Sequence, residues 1–410
     1  MSDQPVRTHL PSVAQLIISI IGFSTSLLCA LAFVLLIKFA NSMQSFGGQT
    51  DQSIYNFVWL SVFLSLIAIP SLVLSIRRLA RLPIYNHPRS NLFAASIAFL
   101  VVIPLGYLAH IYPNLLTNSF LKVLFSFFMV TLPLWWFLEL GQNKLVKSSS
   151  QRFWGLFNFQ IFAGLPLVII VEFTLLTLGI AFGSIVLFKL NTFAPLLMTL
   201  QTQMMIDPTN MNSVIEQFGT LLQDPGVLAA IFFSLSIVTP LVEEILKPLA
   251  LWFFIKRDWS ETEGFSAGLV CGAAFALVES VSAVASLPQE NWTLLLIARI
   301  GTGLLHTLTT GLTGWALVSA WKNGNYKRLG VTYLISMSLH GVWNFFALMS
   351  GLGTNLQIFA NLSLTGISSI APWVLGGLFV AMLAALTLMN QRIRSTQFPP
   401  FPPPLPTEIV

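Results

Sequence analysis

The chain has 410 residues, 55% of them hydrophobic and 9% charged, with a mean hydropathy of +0.79, against about 25% charged in a water-soluble domain. Too few polar groups remain to cover a water-facing surface, which excludes a disordered chain, a coiled coil and a secreted disulfide scaffold. The net charge of +5 carries no nucleic-acid signature, because membrane proteins gather Lys and Arg in cytoplasmic loops.

A helix needs about 20 apolar residues to cross the hydrocarbon core, and ten runs meet that length: 13–39, 54–76, 92–111, 120–140, 161–188, 227–255, 265–287, 292–321, 330–350 and 367–389. The first is too long for a signal-peptide core and no small-residue cleavage site follows it, so it reads as a retained helix. The fold class is therefore all-α, a polytopic transmembrane bundle of about ten spans. Cys29 and Cys271 both fall in apolar runs and read as small buried hydrophobes.

Between runs five and six, residues 189–226 mix Leu197, Met198 and Met204 with Asp207, Pro208 and Asn210, the pattern of an interfacial connection outside the cytoplasm. The chain then divides into a five-span N-terminal region (1–188), that connection (189–226), a core (227–350), a final span (351–395) and a Pro-rich tail (396–410). The tail favours polyproline II and reads as a disordered end or as a ligand for a cytoplasmic partner.

With ten spans both termini share one side. That side collects Arg7, Arg77, Arg78, Arg81, Arg89, Lys144, Lys147, Arg152, Lys256, Arg257, Lys322, Lys327, Arg328, Arg392 and Arg394, fifteen of the 20 basic residues. The other side has Lys38, Lys122 and Lys189. The positive-inside rule places both termini in the cytoplasm of a multi-pass protein of the cell membrane.

Lys247 and Arg299 lie inside spans, where a charge is costly enough to mark a functional site. Spans six to nine also hold Glu243, Glu244, Glu279, His306 and His340. At 1.5 Å of rise per residue, Glu244 and His340 lie about 15 Å from the cytoplasmic end, and Glu279 and His306 about 21 to 23 Å. Four successive helices thus deliver carboxylates and imidazoles to one slab, and the side chains of Glu243, Glu279, His306 and His340 are expected to converge there. Adjacent Glu243 and Glu244 diverge by about 100°, while Lys247, three and four residues on, reaches either. Pro240 and Pro248 predict a kink around this acid pair. Gly264, Gly268 and Gly272 form a small-residue ridge for close helix contact. Phe275 and Trp343 read as packing beside the site, and Glu172 in span five as a structural carboxyl.

These residues resemble a known family. Glu243-Glu244-Ile-Leu-Lys247, then Phe275-Ala-Leu-Val-Glu279, Arg299 with His306, and His340-Gly-Val-Trp-Asn344 are similar to the four-motif signature of the PrsW intramembrane proteases, themselves similar to the CAAX-protease and bacteriocin-processing superfamily. Ser280 stands where many PrsW sequences have Asn. The resemblance covers about 227–350 and implies hydrolysis of peptide bonds in membrane-anchored protein substrates, within or beside the bilayer and in regulated intramembrane proteolysis. By the same resemblance Glu243 activates water, His340 orients it, and Asn344 donates to the oxyanion. An oxyanion donor is worth about 3 to 4 kcal/mol when removed.

Lys247 reads as the charge partner of Glu244, and Arg299 as a bidentate counter-ion for Glu279 or Glu244. The cofactor is open. Carboxylate and imidazole suit Zn²⁺, and the expected ligand set for a metal is Glu279, His306 and His340, with Glu243 left as base. Two other classes stay in view: a proton- or cation-coupled transporter, which also places acids and His at the midplane but calls for inverted repeats the sequence lacks, and a non-catalytic scaffold of the same fold.

Overall fold

The computed structural model describes residues 10–42, 52–83, 91–146, 148–187, 198, 225–254, 259–286, 292–352 and 365–397. The outer connection lies almost wholly outside the described residues, and the Pro-rich stretch of the tail lies outside them. Among the described residues ten helices are long and apolar enough to cross a membrane. They are spans one to ten: Leu10–Phe39, Ile54–Leu79, Leu92–Ile111, Ser119–Gly141, Ser150–Gly179, Pro225–Phe253, Glu261–Ala285, Leu295–Asn323, Tyr326–Gly351 and Thr365–Thr396. The chain is an all-α, multi-pass membrane protein.

Several starts follow from capping chemistry. Asn91, Asn118 and Ser149 each accept a bond from the backbone N–H three residues on, at 3.0, 3.1 and 3.3 Å. Ser149 makes span five begin at Ser150, well before the apolar run that starts at 161. The difference has a physical reason: Gln151, Asn158 and Gln160 lower the hydropathy of these first turns, yet two of them pair with other spans. Asn158 Nδ2 donates to Ser19 Oγ (3.1 Å), Gln151 Nε2 to Ser12 Oγ (2.6 Å), and Gln15 Nε2 to Ser71 Oγ (3.0 Å). Such interhelical bonds are worth about 0.6 kcal/mol each in a bilayer, and together they fix spans one, two and five as one group.

Spans seven and eight form the centre of the bundle, 78% and 67% buried over their most apolar stretch, against 17% for span six. Their contact is made by glycine. A Cβ on Gly268 or Gly272 would overlap the carbonyl oxygens of Thr310 or His306 on span eight, so the two backbones approach as closely as a small-residue ridge permits. Around this pair pack Phe137, Phe265 and Trp292, none of them exposed. Trp292 Nε1 donates to Ser126 Oγ of span four at 3.1 Å, and Asn390 of span ten donates to the carbonyls of Gly141 and Asn143 (2.8 and 3.0 Å). At the end where span seven begins, Glu261 accepts from Trp315 Nε1 and Arg328 (2.7 and 3.0 Å), and Arg152 pairs with Glu263 (2.6 Å).

Span six is irregular. A π-helical turn occupies Ser234–Val238, an α-helical stretch runs over Thr239–Leu246, and the helix breaks at Lys247 and Pro248 before resuming over Leu249–Phe254. The break falls where Pro248 lacks the N–H that would bond to the carbonyl of Glu244 in an unbroken helix.

Candidate active site

The π turn sets the direction of the acid pair. Thr239 N–H reaches back to Ser234 O, so Leu235 O loses its α-helical donor, and the next N–H in the π pattern would come from Pro240, which has none. Leu235 O is instead capped by Asn344 Nδ2 at 2.8 Å. Gly341 lies one turn before it on span nine, where a Cβ would overlap Ser236 O. Span nine is therefore seated against the irregular part of span six, and Tyr333 adds a bond from its hydroxyl to Leu241 O (2.8 Å). This pairing of Asn344 and Tyr333 with orphaned or nearby carbonyls leaves no trace in hydropathy or motif spacing.

One turn after Pro240, Glu243 and Glu244 point into the bundle with 5% and 1% of their surface exposed. The structure brings them together with Lys247, His306 and His340, all buried. Lys247 Nζ is 2.7 Å from Glu243 Oε2, 2.9 Å from Glu244 Oε1 and 2.6 Å from His306 Nδ1. Its reach to His306 exceeds the partnership with Glu244 that the sequence suggests. His340 Nδ1 is 2.9 Å from Glu244 Oε1, while its Nε2 lies 3.9 Å from Glu243 Oε2. The two imidazole rings stand edge to face at 5.1 Å, and Phe275 packs against His306 at the same separation. Phe275 is thus a wall of the site.

Glu279 joins from span seven. Its Oε2 is 2.7 Å from His306 Nε2 and 2.7 Å from a terminal nitrogen of Arg299, whose Nε donates to Ser280 Oγ at 3.1 Å. Arg299 is thus the counter-ion of Glu279, and Ser280 anchors its fork. The Glu279 side chain keeps 33% of its surface exposed, so the cluster opens on that side. Glu172 of span five lies near enough to Thr239, Glu243, Glu279 and Lys247 to interact with them, while its Oε1 is buried without a hydrogen-bond partner among the described residues. It belongs to the cluster in space. Trp343 is held outside the cluster by a bond to Thr302 Oγ1 (3.0 Å) and by contact with Gly301.

The partners assign the imidazole protons. An ammonium can only donate, so His306 Nδ1 accepts from Lys247 and Nε2–H donates to Glu279. At His340, Nδ1–H donates to the carboxylate of Glu244, leaving the Nε2 lone pair free. Each histidine is therefore oriented by a carboxylate on one nitrogen and offers the other, the arrangement that fixes metal-ligating imidazoles. Glu243, His306 and His340 each present a donor atom, all within 4.8 Å of one another. One carboxylate and two imidazoles are the chemistry of three-ligand catalytic zinc sites, so the residues fit a metal ion. This trio differs from the expected set of Glu279, His306 and His340 in one member. Glu279 is engaged with His306 and Arg299, and the carboxylate grouped with both imidazoles is that of Glu243.

Asn344, expected at the oxyanion, has one amide N–H engaged with Leu235 O, and no hydrogen bond joins it to the Glu and His cluster among the described residues.

No curated protein and no solved structure matches the chain. The sequence does match a family described as PrsW family intramembrane metalloprotease over residues 172–386, a stretch that begins at Glu172 and extends well beyond the motifs on both sides. More than half of the chain lies inside that match, and the chain belongs to the PrsW family of intramembrane metalloproteases.

Proposed function

We propose that this intramembrane protease is an endopeptidase that cuts membrane-anchored substrates in regulated intramembrane proteolysis, with Glu243 activating the attacking water. The observation that carries this is the convergence of Glu243, His306 and His340 in a buried polar cluster inside a ten-span bundle. Both termini are assigned to the cytoplasm of the cell membrane, on the fifteen-to-three division of basic residues.

Glu243, His306 and His340 would hold the metal, with zinc the fitting ion, and when bound it supplies a Lewis acid for the scissile carbonyl. The chain's own residues do the rest. A carboxylate has two oxygens, so Glu243 can serve as a donor in the trio and still accept the proton of water. His340 offers Nε2 on the same side as Glu243 Oε2 and orients the water or the leaving group. Glu279 and Glu244 hold the two imidazoles in one tautomer each, so their lone pairs are already aimed before substrate arrives. The second N–H of Asn344 is assigned to the oxyanion, its first holding the π turn in place. Water is kept to the side where Glu279 is exposed, which limits hydrolysis to peptide presented there.

The test is co-expression with candidate single-span membrane proteins. Replacing Glu243 by Gln keeps size but removes the proton acceptor, so cleavage should fall by about 10² to 10⁴ at unchanged abundance. Glu172→Gln should be far milder, because that carboxyl is assigned a structural role. A folded Glu243→Gln protein that cleaves at wild-type rate would sink the assignment, and Glu244 would then be the first residue to test. Cleavage absent from the wild type with every candidate would favour the non-catalytic scaffold.

A further inference from the structure

The Lys247 ammonium sits inside the donor set. It meets His306 Nδ1 (2.6 Å), Glu244 Oε1 (2.9 Å) and, at longer range, His340 Nδ1 (3.4 Å), and it forms an ion pair with Glu243 Oε2 (2.7 Å). It also stands 4.9 Å from the Phe275 ring centroid, and the side chain is fully buried. The two nearest of these, Glu243 and His306, belong to the trio that fits a metal. An ion held by that trio would need the same lone pairs at about 2.0 to 2.2 Å. Two cations that close in a buried site repel strongly, so the two occupants exclude each other.

We propose that Lys247 is a tethered competitor of the metal: its ammonium fills the donor set of the metal-free protein and must leave Glu243 and His306 for the ion to bind. This rests on reading Glu243, His306 and His340 as the metal ligands. The displaced ammonium has somewhere to go. Glu244, already one of its partners, has a second oxygen, Oε2, that is buried and lacks a hydrogen-bond partner among the described residues. Retreat onto Glu244 keeps the cation paired, as a buried charge must be. Metal loading then becomes a switch. At low free metal the site is closed by its own side chain, ordered and inactive.

The experiment measures zinc affinity of the full-length protein in lipid nanodiscs, by competition with a chromophoric chelator and by elemental analysis after desalting. Lys247→Met should bind zinc about tenfold or more tightly than wild type, within the usual range for coupled sites. Because the single change leaves Glu244 uncompensated, and Glu244 itself orients His340, Lys247→Gln, a neutral donor to Glu244, is the second variant and should show a gain in the same direction. Lys247→Arg, with a larger and permanently charged fork, should bind no better than wild type. His340→Ala, which removes a ligand, should lose the metal. Equal or weaker zinc affinity in the folded Lys247 variants, with stoichiometric zinc in wild type and loss in His340→Ala, overturns the competition while leaving the ligand assignment standing. Zinc retained by His340→Ala, or absent from wild type and every variant alike, overturns both.

Discussion

At the scale of single residues, the site is governed by which carboxylate does what. Glu243, Glu244 and Glu279 are the same side chain in three tasks, separated by their partners: a place among the donors, a bond to His340 with an ion pair to Lys247, and a bond to His306 with an ion pair to Arg299. Glu279→Gln removes the charge that holds Arg299 and weakens the orientation of His306, so activity and zinc retention should each fall about 10- to 100-fold. Ser280→Ala, which removes only the partner of Arg299 Nε, should cost much less. Wild-type activity and zinc content in Glu279→Gln would remove the orienting role. Much of this was legible from the motifs, because Glu243, Glu244, Glu279, His306 and His340 stand out as ionisable groups in apolar runs. The division of labour was not, since a tautomer and a ligand set depend on which oxygen meets which nitrogen, and spacing gives only a common face.

At the scale of elements, two devices aim these side chains. One is the π turn at Ser234–Val238, which inserts an extra residue per turn and so shifts the phase of everything after it. A strict 3.6-residue reading predicts the face of Glu243 only by accident, and the turn is held by Asn344 and by Pro240. The sequence reading anticipates a kink from the prolines; it lacks any signal for the π turn. The other device is the glycine ridge, legible as small residues at every fourth position. Its consequence for His306 needed the structure, because the backbone of His306 is what a Cβ on Gly272 would strike. Gly272→Ala should therefore destabilise the protein by about 1 to 3 kcal/mol through overpacking and lower activity as His306 shifts. Gly303→Ala is the control: its Cβ would meet side chains alone, nearest the tip of Leu134 at 3.0 Å and then Phe137 at 4.0 Å, and no backbone. Thermal unfolding in detergent separates the two, and equal midpoints would show that the close approach is not needed.

At the scale of the molecule, composition alone identified a polytopic bundle and counted its spans, because hydropathy integrates over 20 residues and tolerates local error. It misplaced the start of span five, where polar side chains buried against spans one and two look like a loop. The orientation is checked by reporter fusions at Leu329, expected in the cytoplasm, and Gln201, expected outside; an outward-reporting Leu329 fusion would end the ten-span topology. Burial is uneven across the bundle. Spans seven and eight are its pillar, while span six, bearer of Glu243, Glu244 and Lys247, has Leu241 (43%), Ile245 (43%) and Trp252 (37%) turned outward. Among the described residues the back of this helix is thus an apolar, uncovered face, one helix thickness from the Glu and His cluster. With membrane-anchored substrates, as proposed, such a protease meets them by diffusion in two dimensions. The concentration that governs its rate is the number of substrate molecules per lipid, so adding lipid at constant volume should slow cleavage, whereas adding buffer should not.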